Sequence, residues 1–369
     1  MTADQQAIDK PPFPFGVRPD VPVDEGTEDE RGPDTINRLL LHGARYHDRE
    51  ALFLRWEQGR KGWGWEAHPD WRTDRNAIRA ALVLRQRIGM EAGEHAALWI
   101  PFGMEFATVE RGIWSIGGLS VPIAPDWRVD QVATALHEST PTVLFAPDLE
   151  SLRELELIGG LPDSVKANVL LSGDAEDLGE EALSYEQFMD YGGILDTAER
   201  ASMWRTTVRS IRPGTPVSLE YAWQDGLKPL GAISQAGLVE AVDAVLRLLP
   251  PEQGRLQILA GDRPDPVSRA LLYAAWADGL TRTAFVRSQA AVDHAAELEP
   301  NLVAGPAEIL ARLVEKLQEP GGTSSRTFVV CVTDRPAKAE DGFAFRRPVS
   351  FLQANQIDVP LNEFPGEVL

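Results

Sequence analysis

Cysteine is nearly absent. Cys331 is the single one among 369 residues, which excludes an intrachain disulfide and any zinc site built from cysteine pairs. It lies in the apolar run Thr327-Phe-Val-Val-Cys-Val-Thr333, which predicts a strand carrying a buried thiol rather than a nucleophile. Histidine is scarce as well. His42 and His47 lie five apart, and His68, His95, His137 and His294 are scattered, so no metal is expected. No window reaches the ~18 uninterrupted apolar residues of a spanning helix, and no membrane span is expected. The N-terminal residues Met1-Thr-Ala-Asp-Gln-Gln-Ala-Ile-Asp9 carry neither the basic region nor the apolar core of an export signal, which makes a cytoplasmic location the expectation. Positive charge is in deficit, with 36 Lys and Arg against 56 Asp and Glu and a net charge of -20. Nucleic acid is thereby excluded as the main partner, because phosphate binding rests on Lys and Arg replacing counterions. The excess of carboxylates is read as a solvated face that keeps the protein dispersed.

What remains is an ordinary globular composition, 43% hydrophobic and 25% charged. The chain exceeds the roughly 250 to 300 residues at which a single core stops growing, so more than one lobe is expected. Residues 1–34 are rich in Pro, Asp and Glu without apolar periodicity and read as a disordered arm. A first α/β lobe is expected over 35–212. A second is expected over 213–369, opening at the breaker Pro213-Gly-Thr-Pro216.

Within the first lobe the spacing predicts a helix over Thr35–Tyr46 and a hairpin of Ala51–Trp56 with Lys61–Glu66, turning at Gln58-Gly59. A helix over Thr73–Arg87 should close at Gly89. Ala96–Pro101, the helix Met104–Ile116 and Ser120–Pro125 read as a βαβ unit. The helix Gln131–Ser139, the strand Thr142–Pro147, the strand Lys166–Ser172 and a helix over Ser184–Tyr191 follow, with an acidic loop from Gly173 to Glu181. The second lobe alternates the strand Val217–Ala222, helix Ala236–Leu249, strand Arg255–Ala260, helix Pro266–Ala277 and strand Thr283–Arg287. After Val292–Glu297, Asn301–Ala304 and Pro306–Leu317 come a linker at Glu319–Ser325, the strand Thr327–Thr333 and a helix ending near Gln353. The expected fold class is α/β: two stacked lobes of mainly parallel sheet with flanking helices.

Several short stretches carry a family resemblance. Asp48-Arg-Glu-Ala-Leu52, Gly89-Met-Glu-Ala-Gly-Glu-His-Ala-Ala-Leu98, Pro101-Phe-Gly-Met-Glu-Phe106 and Ile113-Trp-Ser-Ile-Gly-Gly-Leu-Ser-Val-Pro122 come in the order of its N-terminal landmarks. Gly279, Phe285-Val-Arg-Ser288 and Leu298-Glu-Pro-Asn-Leu-Val-Ala-Gly-Pro306 continue it. The chain resembles the N-terminal domain of the AMP-forming adenylating enzymes, and within them the long-chain acyl-CoA synthetases.

The family's chemical motifs do not follow the scaffold. Its phosphate loop, Y-T-S-G-T-T-G-x-P-K-G, falls on Tyr221, where only Tyr221, Pro229 and Gly231 agree. The hydroxyl positions become Ala222, Trp223, Asp225 and Gly226, two glycines become Gln224 and Leu227, and the lysine becomes Leu230, with Lys228 two residues away. A carboxylate such as Asp225 at about 4 Å from a phosphate charge costs roughly 1 kcal/mol in water and about 4 at a protein surface. The "PL-[SA]-H" segment would fall at Gly261–Val267, which has no His, and "YG-x-TE" near Asn362-Glu-Phe-Pro-Gly366, where the order differs. The sequence ends at Leu369, ahead of where the family places its ribose-binding Asp, hinge and catalytic Lys.

No catalytic residue is therefore assigned, and no cofactor is expected. The expectation is a non-catalytic, acyl-CoA-synthetase-like protein that binds a complete acyl-CoA synthetase or a small apolar ligand. The alternative is an AMP-forming carboxylate–CoA ligase using ATP and Mg, completed by a second chain. Trp63 and Trp65, on a Gly-flanked strand, are a candidate partner patch. Glu138, Asp262 and Asp265 are read as solvated charges.

Overall fold

The computed structural model describes residues 33–43, 51–59, 62–173, 182–223, 225–248, 255–279, 281–317, 328–331 and 350–353. The N-terminal arm up to residue 32, the acidic loop from 174, the linker 319–325 and the tail beyond 353 lie outside the described residues.

Helix α1 (Ile36–Gly43) precedes the hairpin β1 (Ala51–Gly59) and β2 (Gly62–Pro69) and then α2 (Asp70–Val83), which runs through one π-helical turn, Leu84–Ile88. Gly89, at φ 80°, ends that turn in the left-handed conformation. Alternation follows with β3 (His95–Leu98), α3 (Met104–Ser115), β4 (Leu119–Pro122), α4 (Val129–Ser139), β5 (Val143–Ala146), α5 (Leu149–Leu157), β6 (Ala167–Leu170), β7 (Ala182–Ser184), α6 (Tyr185–Leu195) and α7 (Ala198–Ser210). The chain continues through β8 (Pro216–Trp223), β9 (Leu227–Ser234), α8 (Gln235–Leu248), β10 (Leu256–Ala260), α9 (Pro266–Asp278) and β11 (Arg282–Val286). Last come α10 (Gln289–His294), β12 (Leu302–Gly305), α11 (Ala307–Leu317), β13 (Phe328–Cys331) and β14 (Ser350–Gln353).

Local chemistry explains the ends. Ser184 and Gln187 form a reciprocal capping box at α6, with N–H donors 3.1 and 2.8 Å from their acceptors. Asp265 accepts from Ser268 N–H at 2.9 Å with Pro266 at the first helical position, so α9 starts where its sequence says it must.

The described strands form two sheets, ordered β7-β6-β5-β3-β4-β8-β9 and β14-β13-β12-β10-β11-β1-β2. All pairings are parallel except the hairpins β8–β9 and β1–β2. The expected boundary at 213 does not separate the sheets. β8 and β9 return to the first sheet through Ser120↔Ser218, while β1, from the first half of the chain, pairs with β11 through Phe53↔Thr283. Pro213-Gly-Thr-Pro216 is a turn that brings the chain back to an existing sheet edge. The segment ending at Gln353 is a strand rather than the expected helix. It runs parallel to β13, from Phe328↔Ser350 to Cys331↔Gln353, because a short apolar run beside an open edge gains ladder bonds that a one-turn helix lacks. The hairpin strands also run further than expected, placing the reversal between Gly59 and Gly62.

Alternate strand residues feed different cores, as period-two geometry requires. Ala96, Leu98, Val143 and Phe145 of the first sheet join Phe53, Leu259 and Phe285 of the second in one cluster with the helices between the sheets. Trp114, Tyr273 and Trp276 fill its centre, with Trp276 edge-on to Phe53 at 5.6 Å. Ala97, Val121 and Leu144 face α4 and α5 on the outer side, and Ile258, Ala284 and Val303 face α10 and α11. Helices thus cover both faces of both sheets, as buried parallel strands require.

Candidate functional site

In open parallel sheets, ligands bind outside the carboxyl ends of the strands. Here those ends meet. Phe102, beyond β3, donates its N–H to the carbonyl of Asp262, beyond β10, at 2.8 Å. Arg263 pairs with Asp126, beyond β4. Glu105, in the first turn of α3, lies 2.5 Å from Arg55 of β1 and 3.7 Å from Arg287, which follows β11. A Cβ on Gly103 would stand 1.4 Å from the Arg287 Nη2, so the guanidinium lies across the glycine Cα. Burial depresses Arg287 below the usual arginine value, opposed by Glu105 and reinforced by Arg55. Asp262 is pushed up by partial desolvation and by Asp126, and pulled down by Arg287.

Further along α3 the packing encloses a charged set. Arg269 of α9 makes ion pairs with Glu110 at 2.6 Å and with Glu220 of β8 at 2.5 Å. Tyr273 donates to Glu110 Oε2 at 2.5 Å, Ser120 donates to Glu110 Oε1 at 2.8 Å, and Ser218 donates to Glu220 at 2.5 Å. Burial raises the Glu110 carboxyl, with Arg269, Tyr273 and Ser120 working against it. For Arg269 burial pulls down, but the two carboxylates outweigh it and hold the guanidinium above its ordinary value. These groups are sealed from solvent. They tie α9 to α3 and β8, and they cannot touch a substrate in the crevice.

The strand β8 carries the stretch aligned with the phosphate loop. Because β8 is parallel to β4, its end reaches the same edge, where the Trp223 and Trp127 rings lie 6.1 Å apart. Tyr221 faces Pro229, Ala222 faces Lys228 and Trp223 faces Leu227 across an antiparallel ladder. Only residues 224–226 are left for the turn, of which Gln224 lies outside the described residues. Asp225 has φ 53° and is exposed, and Gly226 has φ 131°. Lys228 and Pro229 are exposed, whereas Gly231 is buried opposite Glu220. Tyr221, like Trp127, Val129 and Leu227, packs against the outer core of the first sheet. Burial, with help from Glu138, pushes its hydroxyl up to about 12. Successive N–H groups of a strand point to opposite sides, so this ladder cannot converge them on one anion.

The two indoles proposed as a patch are not equivalent. Trp63 is 66% exposed. Trp65 is half-buried, edge-on to Trp56 at 5.5 Å, and donates to the carbonyl of His294 at 3.2 Å. The segments near Asn362 and at 319–325 lie outside the described residues. Among the described residues no three His, Cys, Asp or Glu side chains are grouped to hold a metal ion, and no helix is long and apolar enough to cross a membrane.

Residues 43–217 match the AMP-binding enzyme family. This segment is similar to that family's AMP-binding domain. It is 27% identical over 169 residues to a long-chain-fatty-acid–CoA ligase of Mycobacterium bovis, a match covering 45% of this chain and 26% of that ligase. The chain thus spans about a quarter of that relative. Among solved structures, a fatty acyl CoA synthetase of Mycobacterium tuberculosis superposes with a TM-score of 0.61 at 13% identity, over 81% of this chain and 54% of that one. A fatty acyl-adenylate ligase of L. pneumophila, solved with acyl adenylate and pyrophosphate, gives 0.59 at 13% identity over 85% and 52%. The fold is therefore that of adenylating-enzyme N-domains over about 80% of the chain, and the domain is acyl-CoA-ligase-like.

The AMP-binding match ends at residue 217, four residues before Tyr221, where the stretch that departs from the phosphate loop begins. Glu105, Glu110 and both candidate tryptophans lie inside the AMP-binding segment, whereas Glu220, Arg269 and Arg287 lie beyond it. The charged set around Arg269 was not foreseen. Its signal in the sequence was Glu110-Arg111 and Arg269 inside helices that are otherwise apolar, since unpaired charges are almost never fully buried.

Proposed function

We propose that this chain is a non-catalytic, acyl-CoA-synthetase-like protein that acts by binding, its partner being a complete synthetase or a small apolar ligand, without a nucleotide cofactor. The observation that carries this reading is the hairpin at Tyr221–Gly231. Its strands stay paired to Trp223↔Leu227, and the three turn residues are too few to wrap a triphosphate. Asp225 stands exposed at the tip, and the exposed Lys228 belongs to the ladder. A phosphate cradle needs convergent N–H groups and an inward cation; this turn offers a carboxylate instead. The preserved scaffold supports binding as the retained role, because two covered sheets and a sealed ionic tie are costly features for a chain without a task.

The alternative, a carboxylate–CoA ligase completed by a second chain with ATP and Mg, draws support from the 27% identity to a ligase. Calorimetric titration of the purified protein with ATP and Mg, with and without a long-chain fatty acid, separates the two. The expected result is no saturable nucleotide heat and no pyrophosphate release. Saturable binding followed by pyrophosphate release refutes the non-catalytic reading.

A further inference from the structure

The carboxyl-end crevice is bridged at three levels by groups that each join one sheet to the other. Innermost, Glu105 of the first sheet's α3 is gripped by Arg55 at 2.5 Å and flanked by Arg287 at 3.7 Å, both carried by the second sheet. Between them the Phe102 N–H binds the Asp262 carbonyl at 2.8 Å. At the rim, the exposed pair Asp126 and Arg263 spans the same gap. The bare Cα of Gly103 allows the Arg287 guanidinium to lie flush on the opposing loop.

We propose that these contacts form an electrostatic clasp that holds the crevice closed, and that releasing Glu105 opens the crevice while both sheets stay folded. The clasp and the Arg269 tie have different reach. Arg269 fastens the helix layer deep in the core, whereas the clasp joins strand β1, through Arg55, only to the first turn of α3 and to the loops after β3, β4, β10 and β11, and local openings are drawn from such loop and helix-end segments. Glu105 is the pivot because it is the one carboxylate facing both arginines. With it neutralised, Arg55 is left with Glu57, at 3.8 Å, and Arg287 with Asp262, and the two guanidiniums face each other without the carboxylate that joined them. Closure of this kind governs access to the crevice whether or not the domain performs chemistry, so it stands apart from the non-catalytic reading.

The test is amide hydrogen exchange on the full chain. In Glu105→Gln, the amides of Trp99, Ile100, Phe102, Gly103 and 261–263 should exchange about tenfold faster or more, with the strand amides of Ala97, Val121 and Ile258 unchanged. Arg263→Ala, an exposed substitution that leaves the buried groups alone, should accelerate the same loops by a smaller factor that vanishes in high salt, because exposed pairs are screened. Unchanged exchange at Phe102 in Glu105→Gln overturns the clasp. So does an equal rise across the strand amides, which would make Glu105 a general stabilising residue. If Glu105→Gln does not fold, Arg263→Ala decides: no salt-dependent acceleration of these loops overturns the proposal.

Discussion

Replacing Arg269 by Met tests the account of the interior most directly. Arg269 is fully buried between Glu110 and Glu220, at 2.6 and 2.5 Å. Methionine fills much of the same volume but leaves two carboxylates without their cation. Breaking a buried pair from one side costs roughly 3–5 kcal/mol, a large share of the ~5–15 kcal/mol that holds a typical domain together. The loss should depend on pH with a definite sign. Glu110 already has a raised carboxyl in the folded state because of burial, and removing Arg269 raises it further. A group that holds its proton more tightly in the folded than in the unfolded state lowers stability as pH rises through the interval between the two values. Arg269→Met should therefore be penalised more at pH 8 than at pH 5.5, by up to about 1.4 kcal/mol for each pH unit within that interval. Adding Glu110→Gln and Glu220→Gln should recover most of the loss, since a neutral set has no uncompensated charge. Urea unfolding followed by tryptophan fluorescence reads the midpoint, and an unchanged slope certifies that stability alone has moved. A loss below about 1 kcal/mol that is flat with pH refutes the reasoning.

Two further outcomes follow from the packing. Trp63→Ala should shift stability by no more than about 0.5 kcal/mol, because the ring is 66% exposed. Trp65→Ala should cost about 2–3 kcal/mol through its lost contact with Trp56 and its bond to the His294 carbonyl; equal melting points for the two variants contradict this. Gly305→Ala should destabilise by about 2 kcal/mol or more, because an added Cβ would stand 2.6 Å from the Ala260 carbonyl oxygen on the neighbouring strand. Thermal unfolding of that variant checks it, and an unchanged midpoint refutes it.

Much of the architecture was legible because it is written in local periodicity. The stretch over Pro266–Asp278 announces a helix with its own cap, initial proline and closing Gly279. The strands Leu256–Ala260 and Arg282–Val286 are apolar runs between breakers. What escaped was non-local. Ser350–Gln353 becomes a strand only because β13 offers an edge, and β9 is recognisable only once β8 lies beside it. α5, with Leu149, Leu152 and Leu155 on one face, and α7, with Trp204 and Val208 buried, carry apolar positions at helical spacing but were passed over. For the site, the alignment marked the Tyr221 region, yet nothing local showed that its strands stay paired to Trp223 and Leu227. Glu110, Glu220 and Arg269 are separated by up to 159 residues, and their convergence is a property of how α3 and α9 pack on β8.

The exchange of strands between halves of the chain also bears on biosynthesis. Phe53 pairs with Thr283, so on the ribosome β1 must wait for about 230 residues of further synthesis before its parallel neighbour emerges. At bacterial and eukaryotic elongation rates that delay is roughly 10–50 s. Throughout it the hairpin that carries Trp56, Trp63 and Trp65 has one pairing edge and one apolar face exposed. Nascent-chain chaperones would find their longest-lived target there, near the beginning of the message.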